Sequence, residues 1–232
     1  MSSARQPVCA GQHDYGPVSP EWYPAGPYCD DARLWASMVS YDHHAERYAA
    51  WASDLSMEPA LDKFGSMLAV AASSQPAPRV LDAGCGSGRD LAAMTAKGFD
   101  PIGVDMSVGL LDHAHGTGCP VVRADLRSLP FGERCFDGVW ACASLVHFGV
   151  DGTRSALRQF TRVLRPKGVL FATVKLGDDT ESWCETSIAG WRWFRYWRPA
   201  TFSDLVSELG FRVSEVVVDR GAWINVFATA GA

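Results

Sequence analysis

The stretch Val80-Leu-Asp-Ala-Gly-Cys-Gly-Ser-Gly-Arg-Asp90 decides the fold of this chain. A short β-rich run enters a turn with glycine at every second position, and a helical pattern over Asp90 to Lys97 follows. In an α/β sheet such a turn lies at the carboxyl edge of the strands, where ligands bind. Gly84, Gly86 and Gly88 let backbone approach a ligand closely, and the amides opening the next helix face an anionic group. The spacing narrows the ligand. A dinucleotide fingerprint would put its third glycine at position 89, which is arginine here, so NAD is disfavoured. Asp105 closes the next β-rich run, where a carboxylate accepts hydrogen bonds from ribose hydroxyls; that feature fits either nucleoside cofactor.

Outward from this stretch, β-rich runs alternate with helical ones, the pattern of a parallel sheet covered by helices. Strands are expected at Val80 to Ala83, Pro101 to Val104, Val121 to Ala124, Gly138 to Ala143 and Val169 to Val174. Helices are expected at Val108 to His115, at Thr153 to Leu164 and around Phe202 to Leu209. The runs Phe211 to Val218 and Ala222 to Ala228 are joined by three residues, too few for a crossover helix, and so must pair antiparallel. Three regions result: a Pro/Gly-rich arm at 1–30, a helical segment at 31–75, and the main domain at 76–232. Within the second region, Leu34 to Ala49 and Leu61 to Ala71 each carry apolar residues at helical steps, the first with a possible break near Ser40.

The composition excludes several classes. With 21 Lys plus Arg against 26 Asp plus Glu, the formal charge is −5, which argues against a general nucleic-acid binder, since that needs a basic face. At 47% hydrophobic and 20% charged residues the chain can fill a core. No apolar run approaches the roughly 20 residues that cross a bilayer, and Met1 to Gly11 lacks the apolar stretch of a secretory signal, so a cytoplasmic protein is expected. Seven scattered cysteines without a CxxC pair indicate neither a disulfide scaffold nor a metal site.

Read in order, VLDAGCGSGRD, GVDMS, RADLRSLPF, FDGVWACASLVHF and LRPKGVL closely resemble the successive motifs of class I S-adenosylmethionine-dependent methyltransferases, over residues 79–229. The resemblance implies a doubly wound, Rossmann-like, seven-stranded and mostly parallel sheet with an antiparallel last strand, under an N-terminal helical lid. It implies S-adenosylmethionine as cofactor. Asp82, with the Gly84-Cys85-Gly86 turn and Gly88, would meet its methionine moiety, Asp105 its ribose, Met106 the adenine face, and Asp125 and Leu126 the adenine edge. Ala141 and Cys142, ending the fourth strand, and Tyr48 in the lid would border it. Cys85 and Cys142 read as packing residues rather than nucleophiles. Arg89 is similar to the GCGxGR loop of a tellurite-resistance-like subgroup, where the guanidinium could pair with the cofactor carboxylate; the alternative is a surface helix residue.

The fourth strand leads to His147, whose unperturbed pKa of about 6.5 would let it take a proton from an acceptor. Lys175 and the run Trp191-Arg-Trp-Phe-Arg-Tyr-Trp-Arg198 fall between the fifth strand and the last helix, where the family places substrate-covering insertions. Trp191, Trp193, Tyr196 and Lys175 are therefore candidate substrate residues. The expected activity is methyl transfer to an oxygen or nitrogen of a small-molecule acceptor. Two alternatives stay open: an RNA methyltransferase using residues 191–198 as a stacking platform, and a non-catalytic S-adenosylmethionine-binding protein.

Overall fold

Every residue of β1 (Arg79–Ala83) after Arg79 is buried, as expected of a central parallel strand covered on both faces. The computed structural model describes residues 29–71 and 77–231, so the arm expected at 1–30, save its last two residues, and most of the link before β1 lie outside the described residues. Three helices precede β1: α1 (Cys29–His43), α2 (Ala45–Ser53) and α3 (Glu58–Ala71). After it come α4 (Arg89–Ala96), β2 (Asp100–Asp105), α5 (Val108–Ala114), β3 (Val121–Arg123), β4 (Phe136–Cys142), α6 (Val150–Val163) and β5 (Leu164–Leu176). The chain ends through β6 (Glu181–Thr186), β7 (Gly190–Trp197), α7 (Pro199–Glu208), β8 (Phe211–Asp219) and β9 (Trp223–Ala230).

Strands β3, β2, β1, β4 and β5 lie side by side in that order, all parallel. On the far side of β5, β9 pairs antiparallel with it from Val169↔Thr229 to Lys175↔Trp223, and β8 pairs antiparallel with β9. The hairpin expected at the chain's end is thus present, and these seven strands form the expected frame. The sheet nevertheless has nine strands. The additional two, β6 and β7, form an antiparallel hairpin from Glu181↔Arg195 to Thr186↔Gly190, which joins the carboxyl end of β5 through Lys175↔Tyr196 and Leu176↔Trp197.

Alternate strand residues serve two cores. Leu81, Val139, Ala141, Leu170, Ala172 and Val226 pack with Leu157 and Phe160 of α6 and with Phe202 and Val206 of α7. Val80, Trp140, Val169, Phe171 and Phe227 pack with Leu61, Phe64 and Leu68 of α3 and with Met94 of α4. There Trp140 stacks on Phe171 at 4.0 Å between ring centroids, and Phe64 meets Trp140 edge-on at 5.3 Å.

The helical segment read as one lid over 31–75 therefore divides. Helices α1 and α2 pack against α5, and α1 also against β7. Helix α3 instead plugs the sheet face with three side chains that are at most 2% exposed. Apolar periodicity predicts each helix but not which surface receives its apolar stripe. The break between α1 and α2 falls at His44, four residues after the expected Ser40.

Candidate active site

At the carboxyl edge the chain turns sharply after Ala83. Gly84 has φ +86°, and a Cβ there would lie 2.2 Å from the Ser144 Cβ, so only glycine fits. Its amide and that of Cys85 both donate to the Val104 carbonyl at 2.7 and 3.0 Å, fastening the turn to β2. Gly86, at φ +54°, is different: a Cβ there would meet only Tyr48, at 3.9 Å, so the backbone faces open space. Gly88 starts α4 in the left-handed conformation, backed by Thr117 and Ala114.

Asp105 ends β2. Its Oδ2 accepts from the Gly86 amide and its Oδ1 from the Ser107 amide, both at 2.9 Å, so the carboxylate links the glycine turn to the start of α5. Burial raises its pKa, against the pull of these amides. The N-cap of α5 is Ser107, whose Oγ accepts from the Leu110 amide. Asp42 of α1 then takes the Ser107 hydroxyl at 2.5 Å and the Gly109 amide at 3.0 Å, which docks α1 on α5.

A cleft of about 560 Å³, counted to its mouth, lies between these elements. Its floor is Gly84, Gly86, Asp105 and Met106; one wall is Ala124, Leu126 and Leu110; α1 and α2 cover it with Leu34, Met38, Tyr41 and Tyr48. Cys142, Ala143, Ser144, His147 and Phe148 close the inner end. Of the residues expected at the cofactor, Tyr48, Gly84, Gly86, Asp105, Met106, Leu126 and Cys142 line this space. Burial pushes the Cys142 and Cys85 thiols up, as suits packing residues rather than nucleophiles.

Other expected residues stand elsewhere. Asp82 is buried beneath the turn with Oδ2 unpartnered, and burial, reinforced by Asp90, holds its carboxyl well above the usual range. Cys85 packs with Leu91 and Leu111, Gly88 packs against α5, and Ala141 belongs to the core under α6. Arg89 is neither a surface residue nor a cavity residue. Its guanidinium forms a two-pronged pair with Asp90 at 2.7 Å on each arm, and Asp90 also accepts from the Trp140 indole at 2.8 Å. Asp125 is likewise engaged, gripped by Arg127 two residues on, so Leu126 reaches the cavity while the carboxylate does not.

His147 lies in a one-turn 3₁₀ segment, Leu145–His147, and is 4% exposed. Its Nδ1 lies 2.7 Å from the Trp193 carbonyl, which can only accept, so Nδ1 carries the hydrogen. Nε2 is then the acceptor for the Tyr41 hydroxyl at 3.0 Å, and the Tyr41 oxygen accepts from Arg192 at 2.9 Å. Burial, with Arg192 and Lys175 nearby, lowers the His147 pKa to about 3. The expected free base is thus a neutral ring with both nitrogens occupied.

The candidate substrate residues Trp191, Trp193, Tyr196 and Lys175 do not line the cleft. Trp193 is 2% exposed, its indole under the Arg33 guanidinium, and it reaches His147 only through its carbonyl. Lys175 is half-buried with its ammonium over the rings of Phe194 and Trp223. The aromatic run forms strand β7 rather than an open wall. Among the residues outside the candidate set are Tyr41 and Ser144, which line the cleft, and Arg192, which stands behind Tyr41. Sequence signals existed: Tyr41 shares the stretch YDHHAERYAAW with Tyr48, Arg192 lies in the aromatic run at 191–198, and Ser144 comes two residues after β4, where the chain must turn.

A parallel sheet whose first strand runs into a glycine turn, with an acidic residue closing the second, defines a nucleoside-cofactor site on a Rossmann-like fold. Residues 80–168 match a family described as a methyltransferase domain. An O-methyltransferase of Aspergillus sclerotiorum is 30% identical over 178 residues, covering 70% of this chain and 66% of its own length. An O-methyltransferase of Pyrenophora dematioidea is 32% identical over 157 residues, covering 61% and 57%. This chain therefore spans just under two thirds of the first relative and less of the second. A 1,6-didemethyltoxoflavin N1-methyltransferase of Burkholderia thailandensis, solved with S-adenosylhomocysteine, shares the fold at a TM-score of 0.70, with 24% identity over 93% of this chain and 94% of its own. Residues 80–168 thus match a methyltransferase domain, and the sheet that carries them has the fold of S-adenosylmethionine-dependent methyltransferases.

The residues present fit that cofactor. The Ser144 Oγ, in the lining of the cleft, is buried without a partner, and Gly86 leaves open the space a side chain would fill. Buried polar atoms are rarely left unpaired unless a ligand or water satisfies them.

Proposed function

We propose that this chain transfers a methyl group to an oxygen or nitrogen of a small-molecule acceptor in the cytoplasm, using the cleft at the carboxyl edge. When bound, S-adenosylmethionine supplies an electrophilic methyl group on a sulfonium. In this reading Asp105 takes the ribose hydroxyls, Met106 and Leu126 border the adenine, and the Gly84 to Gly88 backbone with Asp82 holds the methionine end. Asp125, occupied by Arg127, would have to leave that pair to reach an adenine amino group. Helices α1 and α2 act as the lid on a binding domain that begins near residue 76.

The observation that carries the reading is one cleft joining the glycine turn and Asp105 to the Tyr41–His147 wall. His147 is a positioning residue here, since its neutral ring fixes the Tyr41 hydroxyl. Rate would come mainly from holding the acceptor in line and excluding water. The names of the two curated relatives favour oxygen over nitrogen. Against the RNA alternative, Arg192 is buried, Arg195 is paired with Glu181, and Arg198 with Asp178, so the run presents no free cationic stripe.

Calorimetry with S-adenosylhomocysteine tests the cofactor site, and mass spectrometry of a metabolite extract incubated with labelled cofactor tests turnover. Absence of cofactor binding would sink the proposal; binding without any methylated product would leave the non-catalytic alternative.

A further inference from the structure

Arg192 is 8% exposed, and its guanidinium donates to the Tyr41 hydroxyl at 2.9 Å and to the Thr186 hydroxyl at 2.8 Å. Its Nε is buried without a hydrogen-bond partner. Lys175 stands near it, each cation about 5.2 Å from the centroid of the Phe194 ring. Neither forms an ion pair among the described residues, although the mostly buried Arg195 of the same hairpin is paired with Glu181 and Asp179, and the exposed Arg198 with Asp178. Acidic partners are therefore supplied to the neighbouring arginines, the mostly buried Arg195 included, and withheld from the one behind Tyr41. A buried cation without a counter-charge is strongly unfavourable, and a protein keeps one chiefly where a ligand completes the pair.

The inner end of the cleft has the matching lack. Asp105 is the only carboxylate lining the cleft among the described residues, and its two oxygens are already engaged by backbone amides. The lone pair of His147 Nε2 is taken by Tyr41. No side chain there is free to receive a proton from a neutral acceptor.

We infer that the methyl acceptor enters as an anionic oxygen, a carboxylate or an ionised enol or phenol, and that Arg192 and Lys175, one side chain behind the Tyr41–His147 wall, supply its counter-charge. This rests on the methyl-transfer reading and names its substrate class. The chemistry then balances without a base: a lone pair of the anionic oxygen forms the new oxygen–carbon bond, the carbon–sulfur bond breaks with its electrons staying on sulfur, and no proton is released. In a water-poor cleft the cations act at effective strength on such an oxygen.

The test compares benzoate with its neutral analogue benzamide, titrated by calorimetry into the chain with and without saturating S-adenosylhomocysteine. Benzoate is expected to bind at least about tenfold more tightly, the scale of opposite charges acting across one intervening side chain at an effective dielectric of about 20. Arg192→Met should abolish that preference, leave S-adenosylhomocysteine affinity unchanged, and melt at or above the wild-type temperature, since it removes an uncompensated charge. If Arg192→Met does not fold, Lys175→Met decides, with a reduced preference expected. Equal affinity for the two probes, no binding of either, or a preference that survives the substitution overturns the inference. Failure of S-adenosylhomocysteine to bind would instead overturn the methyl-transfer reading, and the probe comparison made without it still decides this one.

Discussion

His147 gives the sharpest prediction because its environment fixes both a sign and a size. Its ring is buried, donates through Nδ1 to the Trp193 carbonyl and accepts at Nε2 from Tyr41, and its pKa is lowered from 6.5 to about 3. An unfolded chain takes up a proton on this histidine as pH falls through about 6.5, whereas the folded chain stays neutral until about pH 3. Between those values the unfolded state binds more protons. The stabilising contribution of the neutral ring is thus fully present above pH 6.5 and is lost as pH falls, at up to about 1.4 kcal/mol per unit. At pH 5 the loss is roughly 2 kcal/mol. His147→Gln keeps an acceptor for Tyr41 but does not titrate, so its own curve lacks this slope. Urea unfolding of both proteins between pH 7.5 and 5 should show their stability gap narrowing by about 2 kcal/mol toward acid, with equal m-values. Asp82 and Asp105, whose raised pKa values work in the opposite sense, are common to both and cancel. Parallel curves, or a gap that widens toward acid, would refute the placement of a neutral, doubly hydrogen-bonded ring.

Asp105→Asn should weaken S-adenosylhomocysteine binding by about 1–3 kcal/mol in calorimetry while the circular dichroism spectrum is retained. Gly84→Ala must displace Ser144 and should lower stability by about 1–3 kcal/mol in denaturant titrations, beyond the strain of its φ. Gly86→Ala, with space around it, should cost only its backbone strain, of order 1 kcal/mol, and act chiefly on cofactor affinity. Phe64→Ala, which opens a hole against Trp140, should cost about 3–5 kcal/mol of stability and leave cofactor affinity within a factor of about two.

What the sequence disclosed follows the range of the forces involved. The turn at Gly84 to Gly88, the strand ends at Asp105 and Cys142, and the terminal hairpin are written in neighbouring residues: a backbone dihedral, a run of β-formers, a connection too short for a helix. The hairpin of β6 and β7 was hidden because Arg192, Trp193 and Phe194 are buried in succession. A strand enclosed on both sides loses the alternation that marks a half-exposed one. Asp125 is occupied for a local reason, since Arg127, which takes its carboxylate, sits two positions away and would compete with a ligand there. Tyr41 and Arg192 are 151 residues apart, and nothing in either neighbourhood implies the other.

The expected lid resolves into three helices with different duties, and the hydrogen bonds explain why. Helix α1 is tied at Asp42 to the start of α5, at Ser37 to the Trp193 amide, at Ser40 to the Ala189 carbonyl and at Tyr41 to His147. Trp193 in turn spends its amide on α1 and its carbonyl on His147, so a displacement of α1 would disturb hairpin and histidine together. Helix α2 has a looser hold; Arg47 reaches the Ser187 carbonyl from an exposed position, and Tyr48 covers Gly86 with its ring. Helix α3 is part of the sheet's core and cannot lift without exposing Phe64 and Leu61. Access to the glycine turn is therefore cheapest by way of α2, while α1 and the β6–β7 hairpin keep the Tyr41–His147–Arg192 wall in place behind it.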